Sequence, residues 1–376
     1  MTEPDGTDSA ATDLPDDAEA TDSTDDQAPA TLDPPRQLFV GGYTAEMGGT
    51  AQGLSLLRPN AAASADNVDF TEVSTLELSS PSFLIKHPDE PWVYALSESS
   101  PGKVSALQYD DRGLHLINTQ DSGGDGGCHL CFDGSGKYVV VAHYSSGSIA
   151  SFRIGENGEL SERISLLEFS GSGPDPDRQD ASHAHQVVSV GSAILVPDLG
   201  TDSVHIVRID DDGELSPASD SISLPPGSGP RHLLVSGRHL VVACELSAQL
   251  WVGALDAEVG AEGSSVPVST RETDERIYPS AIGQLGDQIV VANRGSDTLS
   301  VFTLDAYGTP HPLVEFDCGG NWPRDLTVDD DQIWVANQLS NTIAVIKPVQ
   351  RSGDPQDWQQ VLRLESPAPA CVVPSR

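Results

Sequence analysis

The chain has 376 residues and a formal net charge of −37, with 57 acidic side chains against 20 Lys and Arg. Such a field disfavours nucleic-acid and anionic-membrane partners as a general surface property, and an anionic ligand requires a local arginine cluster to overcome it. Hydrophobic residues make up 38% and aromatics 5%, beside 35 glycines and 27 prolines, which favours a Val, Ile, Leu and Ala core broken by many turns over long helices.

Residues 1–36 carry eleven Asp or Glu and one Arg and have almost nothing to bury, so a disordered, solubilising tail is expected there. The segment lacks the basic start and apolar stretch of a secretory signal, and no apolar run approaches a membrane span; a cytoplasmic location without membrane contact is expected. The five cysteines read as thiols rather than a disulfide framework. Cys128 and Cys131, three apart on a strand, point to opposite faces and have no second pair to complete a zinc site.

From residue 37 the chain repeats. One landmark is an apolar run ending in a turn: LFVGGYT, VYALSES, VVVAHYSSGS, ILVPDLGTDS, LVVACELSAQ, IVVANRGSDT and IWVANQLSNT. The residues taken as preceding the turn are Gly42, Ser97, His143, Asp198, Glu245, Asn293 and Asn337. A second landmark lies about fifteen residues earlier, at Pro81, Gly127, Ala184, Pro230, Pro279 and Pro323, with a seventh copy at Pro369. Two landmarks recurring with a period near 40–50 residues, several strands in each, define an all-β, seven-bladed β-propeller over residues 37–376. A sandwich has no reason to repeat its sequence, and a β-helix repeat is shorter. The first apolar run has no landmark before it and the last landmark has no run after it. Residues 37–43 and 369–373 are therefore predicted to share one blade and close the ring.

The inner strands of a propeller bring equivalent residues to one channel mouth. The position after the second landmark holds Ser82, Cys128, His185, Arg231, Ser280, Arg324 and Ala370. With the pre-turn set this predicts Arg231 and Glu245 on adjacent strand ends facing one pocket, with His143 and Asn337 at the same mouth. The Gly-, Pro- and Asp-rich stretch 169–185 is expected to cross that mouth and carry Arg178 to a ligand. Arginine clamps a carboxylate or phosphate and stabilises an oxyanion; His or Glu serves as a general base. Taken one at a time, polar strand ends are usually structural, and the two asparagines suit turns. His183 and His185 lie on one face of a strand, yet no third metal ligand is evident, and no metal or cofactor is expected. There is no Gly-rich phosphate loop and no serine nucleophile elbow.

The segments FVGGYT, GGCHLCFDGSGKYVVVAHYSSGS, RQDASHAHQ, GSGPRHL, CELS and NWPRDLTVDDDQIWVANQLSNTIAV resemble, in order and over about residues 37–376, the lactonase family of seven-bladed propellers. The resemblance implies a hydrolase opening a sugar δ-lactone, with 6-phosphoglucono-δ-lactone as the expected substrate. It implies catalytic roles for His183, His185, Arg231 and Glu245, and basic substrate contacts from Arg178, Arg294 and Arg324. The family often has Asn-Tyr where this chain has His143-Tyr144, and Pro where it has Ser182. A cycloisomerase or lactonase acting on a muconate-like carboxylate would use the same arginines. A non-catalytic propeller binding a ligand or protein would instead show an exposed apolar patch.

Overall fold

The computed structural model describes residues 31–60, 68–218, 220–255, 263–349 and 357–376. Seven antiparallel sheets of four or five strands follow one another around a ring. Blade 1 runs from Pro81–Lys86 outward to Gly113–Asp121, blade 2 from Gly127–Phe132 to Ser165–Glu168, and blade 3 from Val188–Val190 to Leu215–Pro217. Blade 4 runs from Pro230–Ser236 to Ser264–Pro267, blade 5 from Tyr278–Leu285 to Pro310–Asp317, and blade 6 from Pro323–Asp329 to Asp357–Glu365. Blade 7 is built from both ends of the chain: Pro369–Ser375 is innermost, followed by Gln37–Gly42, Leu54–Pro59 and Phe70–Leu76. The only helical element among the described residues is the 3₁₀ turn Ala45–Met47.

The second strand of each blade reads as an unbroken apolar run because both its faces are buried. In blade 4, Val242 packs toward blade 3 with Leu195 and Val204, while its neighbour Val241 packs toward blade 5 with Ile289 and Val291. In blade 6, Ile333 and Val335 face blade 5, and Trp334 and Ala336 face blade 7. The core is thus a set of apolar seams between successive blades, and the period of two assigns alternate side chains to alternate seams.

Closure follows the predicted pairing. Gln37–Gly42 lies antiparallel to Pro369–Ser375, from Gln37 opposite Ser375 to Gly42 opposite Pro369. Gly41 leaves no room for a side chain, since a Cβ there would sit 2.1 Å from the Pro81 carbonyl of blade 1. Residues 1–30 of the acidic tail lie outside the described residues. Its last six are packed against the ring: Leu32 is buried in the seam between blades 6 and 7, and Gln332 Nε2 donates to the Asp33 carbonyl. The expectation of a tail with nothing to bury through residue 36 therefore ends earlier, because Leu32 supplies an apolar anchor.

The inner strands share one irregularity. Pro230 pairs with Cys244 and His232 with Ala243, so Arg231 is an extra residue in the ladder. The same shift occurs at Ser82, Cys128, Arg324 and Cys371's predecessor Ala370, and within 280–281 of blade 5. In blade 3, Ala184 pairs with Asp198 and Val188 with Leu195, which again leaves one residue over. A bulge re-aims its side chain, and six of them, Ser82, Cys128, His185, Arg231, Arg324 and Ala370, line one channel, while Ser280 Oγ donates to the Ala292 and Pro323 carbonyls.

Deleting residues 369–376 should open the ring and expose the edge of Gln37–Gly42. The expected outcome is loss of the cooperative thermal transition by circular dichroism, with aggregation. A retained sharp transition would show that closure does not rest on this strand.

Candidate active site

At one end of the channel lies a pocket of about 350 Å³ lined by Glu98, Cys128, Tyr144, Arg178, His185, Glu245, Tyr278, Arg294, Trp322 and Arg324. Beneath it, Tyr43, Ser82, Arg231, His232 and Asp325 narrow the channel.

Glu245 is the centre of the charge arrangement. It is 4% exposed. Arg178 Nη2 donates to its Oε1 at 2.7 Å, and Arg294 Nη2 to its Oε2 at 2.6 Å. Arg231 Nε lies 3.1 Å from Oε2, close enough for an ion pair but without hydrogen-bond alignment. Burial alone would raise the Glu245 pKa, but the Arg294, Arg231 and Arg178 charges outweigh it and hold the carboxyl far below the usual carboxylate range. Arg231 is 2% exposed, and burial, then Arg294 and Arg324, pushes its pKa down to about 9, still cationic at neutral pH. Arg324 lies over the Tyr43 ring at 5.4 Å, with Nη2 3.9 Å from Glu98, beyond hydrogen-bond reach. Glu98 itself accepts from the Tyr43 hydroxyl at 2.8 Å.

His185 is buried in the pocket wall, and its Nδ1 has no partner within the protein. Burial, reinforced by the Arg231 charge, holds its pKa well below 6.5, so the ring is neutral at pH 7. His183 stands behind the wall: its ring stacks on Tyr144 with centroids 4.5 Å apart, and its Nδ1 lies 2.9 Å from the Tyr144 carbonyl. Asp198 holds this segment by accepting from the His183 amide and the Ser182 hydroxyl. Around the pocket and the narrowing below it, four guanidiniums face the three carboxyls of Glu98, Glu245 and Asp325, a local excess of one positive charge inside a chain of net −37.

The structure brings together His185, Arg231, Glu245, Arg178, Arg294 and Arg324. It does not bring His143 or Asn337 to the pocket. His143 is fully buried, with Nδ1 3.0 Å from Ser148 Oγ; Asn337 is fully buried and donates to the Cys318 carbonyl. The reason is register. Pro230 pairs with Cys244, just as Pro279 pairs with Asn293 and Pro323 with Asn337. Cys244, not Glu245, is therefore the pre-turn residue of blade 4. Glu245 belongs one position further on, with Tyr43, Glu98, Tyr144 and Arg294, and a shift of one residue on a strand turns a side chain to the opposite face. Reading that next position would have found Glu98 and Tyr144, which sequence reasoning missed. Tyr278 and Trp322, also missed, sit immediately before the Pro279 and Pro323 landmarks. Cys128 reaches the pocket on its bulge, its thiol pushed up in pKa by burial.

Comparison with known proteins agrees with this architecture. The family described as "Lactonase, 7-bladed beta-propeller" matches residues 37–374. The chain is 28% identical over 343 residues to a 6-phosphogluconolactonase of Formosa agariphila, covering 86% of this chain and 96% of that one. It is 30% identical over 265 residues to the 6-phosphogluconolactonase of Bacillus subtilis, covering 67% and 75%. Among solved structures, a putative 6-phosphogluconolactonase of Bacteroides fragilis superposes with TM-score 0.78 at 28% identity, covering 92% and 99%. The periplasmic gluconolactonase PpgL of Pseudomonas aeruginosa does so with TM-score 0.78 at 26% identity, covering 90% and 98%. The chain belongs to the lactonase family of seven-bladed β-propellers, a class of carboxylic-ester hydrolases.

Replacing Glu245 by Gln leaves the buried Arg231 and Arg294, and the half-buried Arg178, without their counter-charge. A loss of about 3–5 kcal/mol of stability is expected by chemical denaturation, and a loss under about 1 kcal/mol would show that the cluster behaves like a surface ion pair. Stability should also depend on pH through the buried histidines. Burial pushes His129 down to about 3 and His143 to about 4, and His185 and His232 also lie well below 6.5. The unfolded chain takes up protons at these four groups first, so their contribution is complete above pH 6.5 and declines as pH falls toward 4. Asp325, raised by burial to about 6, and Asp329, also raised by burial, act with the opposite sign but are two groups against four. Unfolding free energy should therefore be lower at pH 5 than at pH 7; an equal or higher value at pH 5 would contradict the neutral state of these buried histidines.

Proposed function

We propose that the protein hydrolyses an anionic sugar δ-lactone, with 6-phosphoglucono-δ-lactone the best fit, as the lactone-opening step of the pentose phosphate pathway. The observation that carries this is the pocket's excess of positive charge in an otherwise strongly acidic protein, set beside the uncharged imidazole of His185 in its lining. The names of the Formosa and Bacillus relatives support the phosphorylated substrate. The gluconolactonase PpgL marks the uncharged lactone as the competing choice, and the arginines favour the anion.

In this reading His185 is the general base. It takes a proton from water as the water oxygen attacks the lactone carbonyl, and returns it to the ring oxygen as the C–O bond breaks. Glu245 is poorly suited to that task, since both its oxygens are engaged by guanidiniums and its basicity is suppressed. Its role is positional: it gathers Arg178, Arg231 and Arg294. Both Arg178 and Arg294 reach Glu245 through Nη2, and Arg294 Nε donates to the Tyr278 carbonyl, which leaves Nη1 of each for the substrate's oxyanion. Arg324, the least tightly held of the four, takes the phosphate.

The test is hydrolysis of freshly generated 6-phosphoglucono-δ-lactone above the spontaneous rate, with and without EDTA, with glucono-δ-lactone as the uncharged comparison. His185→Asn should lower kcat by about 10²–10⁴-fold. Arg324→Met should raise KM for the phosphorylated lactone and narrow its advantage over the uncharged one. Because burial depresses the His185 pKa, the acid limb of kcat/KM should fall below pH 6.5. A limb at or above 6.5, or equal turnover of both lactones by the wild type, would overturn the corresponding part of the assignment.

A further inference from the structure

One residue of the pocket breaks the backbone rule that its counterparts obey. The position just before the inner-strand landmark adopts a left-handed conformation in five blades: Ser80 at φ 39°, Gly126 at 63°, Gly229 at 59°, Trp322 at 61° and Ala368 at 37°. Four of these are Gly, Ala or Ser, the side chains that cost least or crowd least there. Blade 6 instead places tryptophan, one of the most hindered choices. The conformation is held from outside. Asp297, in the hairpin turn of blade 5, accepts from the Trp322 amide at 2.8 Å and from the Asn321 side chain. Asp202 and Asn341 hold Gly229 and Ala368 in the same way, so this latch is general to the ring and does not itself demand an indole.

The indole's surroundings indicate its use. Trp322 lines the pocket and is only partly buried. Tyr278 occupies the equivalent position of blade 5, with ring centroids 6.3 Å apart and planes inclined at 58°. The Arg294 guanidinium lies 5.6 Å from the Trp322 ring and 5.7 Å from that of Tyr278. One wall of the pocket is therefore a pair of aromatic surfaces flanking a cation that is tied to Glu245, while the opposite side carries His185 and Arg178.

We propose that Trp322, with Tyr278, is the specificity platform for a closed pyranose ring, the indole face receiving the ring's C–H face while Arg294 meets its oxygens. The π face is negative and ring C–H groups are weakly positive, so a closed ring lies flat against it. An open-chain sugar acid offers no such flat face. Product opened by hydrolysis then loses the platform contact that substrate had. This inference rests on the lactone reading of the pocket, and it adds selection of closed over open rings.

The experiment uses stable probes on the full chain: glucose 6-phosphate as closed ring, 6-phosphogluconate as open chain and inorganic phosphate as anion alone. Each is titrated against indole fluorescence and tested as an inhibitor of lactone hydrolysis, in the wild type, Trp322→Ala and Trp322→Phe. Glucose 6-phosphate should change wild-type fluorescence, and the change should vanish in Trp322→Phe. Its dissociation constant should weaken about tenfold in Trp322→Ala, equivalent to about 1.4 kcal/mol, and recover in Trp322→Phe, while that of inorganic phosphate stays the same. KM for the lactone should rise in Trp322→Ala with kcat nearly unchanged. If Trp322→Ala folds poorly, Trp322→Gly reproduces the backbone of Gly126 and Gly229 and serves instead. Equal binding of glucose 6-phosphate by wild type and the truncated variants overturns the platform, whether or not lactone is hydrolysed. Trp322-dependent ring binding without lactone turnover sinks the reaction and leaves the platform standing.

Discussion

Everything in this molecule depends on the pairing of Gln37–Gly42 with Pro369–Ser375. Each blade presents both faces of its second strand to neighbours, so no blade has a solvent-facing side on which to stop. An open row of such blades would expose an apolar seam at each end. Joining the two chain ends within blade 7 removes both seams and leaves Phe39 and Leu38, adjacent residues, facing blades 1 and 6 respectively. The absence of a side chain at Gly41 lets this last blade reach the backbone of the first.

Ring closure also creates the site. The bulges at the start of the inner strands bring one residue from each of six blades to the channel. Most of these are small or neutral, such as Ser82, Cys128 and Ala370. Blades 4 and 6 contribute Arg231 and Arg324. Two adjacent cations in a narrow channel repel one another, and burial further penalises Arg231. Glu245, from the strand next to Arg231, offsets that cost and draws in Arg294 from blade 5 and Arg178 from the segment preceding blade 3. The buried carboxylate makes the cluster stable, and the surplus of positive charge makes it an anion site. His185 is kept neutral by its burial, reinforced by the fixed positive field beside it.

The repeat, the seven blades and the shared blade were all legible in the chain, because a period near 48 residues and mismatched ends survive in sequence whatever the side chains do. The bulge residues were equally legible, since each follows a landmark. What the sequence left ambiguous was one-residue register after the apolar run. The segments ACEL and ANRG look alike, yet only pairing to Pro230 and Pro279 shows that Cys244 matches Asn293 and Glu245 matches Arg294. That slip sent His143 and Asn337, which bind their own turns and neighbours, to the pocket on paper and kept Glu98 and Tyr144 out of it.

By itself, then, the sequence determined the number of blades, the strand that closes them and the presence of arginine and histidine at one mouth, because these follow from periodicity and from what an apolar run must bury. Only the tertiary structure decided which arginines share Glu245, that this carboxylate is committed to them, and that Trp322 stands in a left-handed conformation against the pocket. Those are facts of distance and dihedral angle between residues from different blades. No local pattern encodes them, because blades 4, 5 and 6 meet at the channel only after the ring has closed.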